Sequence, residues 1–261
     1  MTSPNIDTTV PHSARIWNYW LGGTDNFEVD RAAGDQFREA FPGIFEVARA
    51  SRQFLTRSVR FLAGEAGIRQ FLDVGSGLPT VENTHEIAQR VAPASRVVYV
   101  DNDPLVLTHA RALLAGSTEG AADYVDADLR DPEAVLAAAA RTLDFSRPVG
   151  LIFSGCLGHV PDTDEARAIV ARMVAALPSG SYVSINDGTR AHGGEAIEQA
   201  QQDYNESGAI PYNLRTVDEI TSFFAGLELV EPGVVPCPRW RPDPGAEPAD
   251  SDAVGGVARK P

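Results

Sequence analysis

The segment Phe71-Leu72-Asp73-Val74-Gly75-Ser76-Gly77 constrains this chain more than any other. An apolar run of strand length passes directly into a pair of glycines. A second apolar run, from Val97 to Val100, ends in Asp101, 26 positions after Gly75. Strand, glycine turn, helix and a second strand ending in an acid form the unit with which a parallel α/β sheet grips an adenosine-containing ligand. The glycines let the backbone approach the ligand, and the acid accepts from the ribose hydroxyls. Gly75, Ser76, Gly77, Asp101 and the adjoining Asn102 are therefore the first candidate binding residues.

The turn departs from the dinucleotide pattern. Thr80 stands where a third glycine or alanine is expected, and Pro79 before it removes a backbone N–H that a pyrophosphate would use. Asp73, at the strand end, can meet a positively charged amino-acid tail directly or through water. One nucleoside, no phosphate and a cationic tail describe S-adenosyl-L-methionine, which is the expected cofactor. A nicotinamide-dependent oxidoreductase is the reading that Asp73, Pro79 and Thr80 disfavour. After the third strand comes Asp126-Ala127-Asp128-Leu129. Asp128, preferred over Asp126, can accept from the adenine amine, and Leu129 can cover the ring. Asp103, followed by Pro104, reads as a helix N-cap.

Periodicity gives the rest of the architecture. Strands are expected at 69–74, 96–100, 122–125, 149–154, 181–186, 227–231 and 253–259. Helices are expected at 81–91, 104–115, 132–143, 163–177, 193–206 and 216–225, the last opened by the capping box Thr216-Val217-Asp218-Glu219. Continuous apolar strands alternating with helices imply an α/β, Rossmann-like, mostly parallel sheet of seven strands with helices on both faces. Six prolines between 232 and 252 predict an extended loop before a last edge strand, Ala253–Arg259. Upstream, Ser13 is expected to cap a helix to Trp20, ended by Gly22-Gly23. Helices over 29–40 and 44–62 follow. Residues 1–13 are expected to be a disordered leader, 14–64 a helical cap or lid, and 65–261 the ligand-binding domain.

The formal net charge of −14 falls entirely within residues 65–261, because residues 1–64 carry seven Arg against seven Asp and Glu. Such a surface repels nucleic-acid and anionic-membrane partners. No apolar run reaches the ~18–20 residues of a bilayer span, and the N-terminal stretch lacks a secretory signal pattern. Cys156 and Cys237 are the only cysteines. They make no disulfide framework, which points to a cytoplasmic protein with reduced thiols.

The motif Asp-x-Gly-x-Gly, the acid after strand two and the Asp-Leu after strand three resemble a class I S-adenosylmethionine-dependent methyltransferase. The resemblance extends to Ala14-Arg15-Ile16-Trp17-Asn18-Tyr19-Trp20-Leu21-Gly22-Gly23-Thr24-Asp25-Asn26-Phe27 with Asp30-Arg31. It also takes in Leu78-Pro79-Thr80, Asn83, His85 and the run from Val98 to Pro104. These are similar to an actinobacterial family of S-adenosyl methyltransferases, over about 14–260. Thr24 stands where that family often has Lys. The resemblance implies a methyltransferase with an antiparallel strand at the sheet edge, and it names no acceptor.

The polar groups and glycines of the N-terminal block suggest a lid over the cofactor. In that reading Arg15 or Tyr19 reaches the methionyl carboxylate, and Gly22 and Gly23 allow close approach. Ligands bind at the carboxyl ends of the strands, so Ser154 at the end of strand four faces the methyl. His159 has two readings, a base near neutral pH or a loop-packing residue. Asp187 and Arg190 either orient the substrate or cap the next helix. Tyr204 and Tyr212 either line an acceptor pocket or belong to the core or surface. Cys156 reads as a small apolar filler, and His85 and His109 as helix residues. No His and carboxylate spacing suggests a metal. The expectation is a methyltransferase acting on a small-molecule acceptor through oxygen or nitrogen. A non-catalytic cofactor-binding sensor or assembly module is the alternative.

Overall fold

A computed structural model describes residues 7–79, 82–106, 108, 120–247 and 249–261. Its centre is an eight-stranded sheet. The strands are β1 (Gln70–Val74), β2 (Arg96–Asp101), β3 (Ala121–Asp126), β4 (Gly150–Ser154), β5 (Tyr182–Gly188), β6 (Glu228–Leu229), β7 (Val235–Pro236) and β8 (Ala253–Arg259). The order is β3-β2-β1-β4-β5-β8-β6, with β7 also pairing β8. Strands β1 to β5 pair in parallel, and β8 runs antiparallel to β5, β6 and β7.

Alternation along the strands sends side chains to two cores. Phe71, Val97 and Tyr99 join the cluster on one face, whereas Leu72, Val74, Val98 and Val100 join the cluster on the other. Both faces are covered by helices, as continuous apolar strands require. Three N-terminal helices, α1 (Ser13–Trp20), α2 (Glu28–Ala40) and α3 (Ile44–Gly64), belong to the first face. Helix α3 buries Ile44, Val47, Ala48, Ser51, Phe54, Leu55, Val59 and Leu62 at helical spacing. Its Phe54 is fully buried, and truncation to alanine costs about 3–5 kcal/mol at such sites. The remaining described helices are α4 (Thr84–Val91), α5 (Pro132–Ala139), α6 (Thr163–Ala175), α7 (Gly194–Glu206) and α8 (Val217–Ser222). The Thr216–Glu219 capping box forms. Most of helix 104–115, with His109, and also Thr80, Val81 and residues 1–6, lie outside the described residues.

Several boundaries differ from expectation. His12, not Ser13, caps α1: its backbone is extended and its imidazole accepts from Ala14 N. Residues 7–12 are not a loose leader, since Arg15 donates to Asp7 O at 3.0 Å and to Val10 O at 2.5 Å. Strand β8 is not the sheet edge. It lies between β5 and β6, where Gly255 brings the backbone so close to Asn186 and Phe54 that a Cβ would sit 2.8 and 2.9 Å from them. The eighth strand comes from the proline-rich loop. Val235–Pro236 pairs β8 from the outside, a position where the missing proline N–H is tolerated. Arg57 on α3 then holds the following turn, donating to Cys237 O at 2.6 Å and Trp240 O at 3.0 Å. At the end of the sheet opposite the strands' carboxyl termini, Lys260 Nζ donates to Val174 O and Leu177 O. It thereby satisfies carbonyls left open at the C-terminus of α6. Among the described residues, no helix is long and apolar enough to cross a membrane.

Candidate functional site

A cleft of about 250 Å³ opens along the carboxyl ends of the strands. Its first end is built by the glycine turn. Gly75 and Gly77 take φ of +67° and +65°, a region that favours glycine. A Cβ on Gly75 would lie 2.4 Å from that of Cys156, whereas a Cβ on Gly77 would meet nothing within 4 Å. Asp101 braces the turn: its Oδ2 accepts from Gly77 N at 2.8 Å and its Oδ1 from Asp103 N at 3.0 Å. Burial raises the Asp101 pKa, and these backbone N–H groups oppose the rise. Asp103 Oδ1 accepts from Leu105 N at 2.8 Å, as a cap should.

Asp73 lies at the base of the turn and is almost wholly buried. Burial pushes its carboxyl up to about 6, against the Thr84 hydroxyl that donates to it at 2.6 Å and the positive charge of Arg52. Asp128 and Leu129 line the same end with Asn102, and Asp126 does not. Asp128 Oδ1 accepts from Arg130 N at 2.9 Å. Cys156 is buried, packs on Gly75 and donates from Sγ to Val74 O, consistent with a filler.

Midway, Ser154 donates to Asn186 Oδ1 at 2.8 Å, and Asn186 donates to Ser51 on α3 at 2.6 Å. This chain of polar groups joins β4, β5 and α3 across the cleft. His159 lines the wall, and its Nδ1 lies 2.9 Å from Pro211 O. A carbonyl only accepts, so Nδ1 carries the proton and the neutral ring keeps its lone pair on Nε2. Burial lowers the His159 pKa, which favours that neutral form. Asp187 is 1% exposed and accepts from the Tyr212 hydroxyl, with Arg215 Nη1 3.7 Å from its Oδ2. Burial raises its pKa to about 6, offset by Tyr212 and Arg215. Asp187 does not cap the next helix, because Gly193 holds that position. Arg190 points elsewhere, to Leu214 O and Glu198. Tyr204 and Tyr212 both line the cleft.

The N-terminal block needs correction. Ala14, Trp17 and Asn18 on α1, with Leu21 at its C-cap, line the cleft. Arg15 and Tyr19 are one position on, about 100° around the helix, and neither lines it. Arg15 is buried in an ion pair with Asp30, Nε to Oδ2 at 2.8 Å. Tyr19 donates to Asp35 at 2.8 Å. Gly22 and Gly23 also lie off the cleft, and Gly23 packs against Asn18. His12, which sequence reasoning missed, does line the cleft and lies 3.1 Å from Asp103.

Arg52 was missed as well. It lines the cleft from the middle of α3, near Asp73, and donates to Glu82 O at 2.7 Å. Burial lowers its pKa and Asp73 opposes this. No local motif marks it. The only signal was a charged residue within an otherwise apolar helical stripe.

The cleft fits S-adenosylmethionine. It has an acid at the end of β2, a turn open at Gly77, a carboxylate and a guanidinium beside the β1 terminus, and room past Ser154. A mostly parallel sheet carrying such a site defines a class I methyltransferase. The chain belongs to the S-adenosyl methyltransferase family, whose model matches residues 1–261, and its cofactor is S-adenosylmethionine. A DUF574 family protein from Streptomyces avermitilis is 46% identical, with 98% of this chain and 99% of that chain covered and a TM-score of 0.93. A candidate methyltransferase from Thermobifida fusca is 44% identical, with 98% and 97% covered and a TM-score of 0.89. An O-methyltransferase family 2 protein from Planctomyces limnophilus, in complex with apigenin, shares the fold at 17% identity. There 94% of this chain and 65% of that chain are covered, with a TM-score of 0.52. No curated protein matches the chain. Neither the nicotinamide reading nor the non-catalytic reading finds support.

Proposed function

We propose that this methyltransferase modifies a small molecule that enters beside β5, with the cofactor lying along β1 and β2. The observation that carries the reading is the continuity of one cleft from Asp101, past Ser154, to Asp187 and Tyr212. Asp101, with Asn102 beside it, takes the ribose. Asp128 accepts from the adenine amine while Leu129 covers the ring. Gly75, Ser76 and Gly77 let the backbone approach. Asp73 faces the ammonium of the methionyl tail, and Arg52 takes its carboxylate, the role expected of Arg15. Bound here, the cofactor supplies an electrophilic methyl on a sulfonium. His159 Nε2 is positioned to take a proton from an acceptor O–H or N–H, and Asp187 orients that acceptor.

Residues 14–64 act as the cap, and α1 forms its inner wall. The net charge of −14 supports a partner other than nucleic acid. The two free, buried thiols support a cytoplasmic location. Calorimetry with S-adenosylhomocysteine on the full chain and on D101A tests the cofactor placement. Binding that D101A leaves intact would remove Asp101 from the ribose site.

A further inference from the structure

The cleft changes character along its length. At the cofactor end the charges are mixed: Arg52 accompanies Asp73, and Arg130 lies 3.8 Å from Asp128. Past Ser154 the wall is aromatic, with Trp20 and Phe37 ring centroids 5.2 Å apart and Phe37 and Tyr204 6.2 Å apart. Trp17 continues this wall, 5.7 Å from Trp20. Two buried carboxylates, Asp187 and Asp252, line the same end. Among the described residues, no Arg or Lys lines the cleft from α1, α2, β5, α7 or β8.

One of the two, Asp187, is incompletely satisfied. Among the described residues, Asp187 Oδ2 has no hydrogen-bond donor, and its ionic neighbour is Arg215, 3.7 Å away and outside the cleft wall. Asp252 accepts from His192 N at 2.8 Å. A buried carboxylate oxygen without a donor is costly, and a ligand N–H can supply one. Aromatic faces favour a cation, and more so where water is excluded. An anion would meet two carboxylates with no countercharge of its own.

We propose that the acceptor is an amine, whose N–H group donates to Asp187 while the aromatic wall of Trp17, Trp20, Phe37 and Tyr204 packs around its cationic form; the ammonium then gives a proton to His159 Nε2, which frees the lone pair that a methyl acceptor needs. This rests on the methyltransferase reading above.

The test uses the full chain saturated with S-adenosylhomocysteine and three probes that differ in one group: tyramine, tyrosol and 4-hydroxyphenylacetate. Calorimetry should show tyramine binding about tenfold more tightly than tyrosol, with 4-hydroxyphenylacetate weakest. D187N should erase the tyramine advantage. D252N should reduce it, and keeps the test open if D187N fails to fold. The proposal is overturned if 4-hydroxyphenylacetate binds as well as tyramine, if tyramine does not bind, or if folded D187N retains the preference. Failure of the wild-type chain to bind S-adenosylhomocysteine would instead sink the methyltransferase reading.

Discussion

The two ends of the cleft are made in different ways. The end proposed for the cofactor comes from strand termini. Asp73, Gly75, Gly77, Asp101 and Leu129 fall in three short stretches, and much of the work there is done by backbone and carboxylates. The end proposed for the acceptor comes from the β5 terminus, the start of β8, side chains on α1, α2, α3 and α7, and the loop at 210–214, elements far apart in the chain. A ligand common to many enzymes can be held by a turn that the sheet itself dictates. A ligand particular to one enzyme is held by helices whose faces can change without disturbing the sheet.

That difference can be broken or sharpened by substitution. The largest effect is expected at Gly75. A valine there meets both the positive φ and the Cys156 side chain, so G75V should lose about 3–5 kcal/mol in urea unfolding. A loss under about 1 kcal/mol would show that the turn is more plastic than its geometry implies. Next comes D101A, expected to weaken S-adenosylhomocysteine about a hundredfold by calorimetry, the scale of charge-assisted hydrogen bonds to two hydroxyls.

Asp73 should trade stability for binding. Its carboxyl titrates near 6 when folded and near about 3.9 when unfolded. Between those values the folded chain holds more protons. The group's contribution is therefore full at low pH, declines as pH rises through this window and stays lost above it. Ligand-free D73N should be more stable than wild type at pH 7 by on the order of 2 kcal/mol, and the gap should close below about pH 4. Thermal melts across pH check this, and a gap that widens on acidification would contradict it.

R52Q should weaken S-adenosylhomocysteine about tenfold while leaving 5′-methylthioadenosine, which lacks the amino-acid tail, unchanged. Equal weakening of both would assign Arg52 to packing. The smallest effect is expected at the other end. Q201L, on the α7 wall, should shift S-adenosylhomocysteine affinity by less than about twofold, because additivity holds for independent sites.

The same contrast explains what the amino-acid order could tell. The strands were legible because apolar runs between glycines and prolines have few alternatives. The glycine-turn end of the cleft was legible because its lining residues are local. Strand β8 was misplaced as an edge because the pairing partner of a strand is a long-range fact. The clue, Gly255-Gly256, only makes sense once Phe54 and Asn186 are seen beside it. Arg15 was misjudged for a different reason. Polar residues crowd one helix, but a helix has two faces, and Arg15 with Tyr19 took the one turned towards α2. Arg52 was invisible because α3 reads as a core helix, and its neighbours Asp73 and Glu82 are 21 and 30 positions away in the chain.

Lys260 is the chain's single lysine beside twenty-one arginines. Its side chain closes the end of α6 at the end of the sheet opposite the cleft. Acylating reagents that spare guanidinium groups therefore find one lysine amine, remote from both ligands. A dye or surface tether coupled there would leave the cleft untouched, an experimental handle already placed by the protein's own composition.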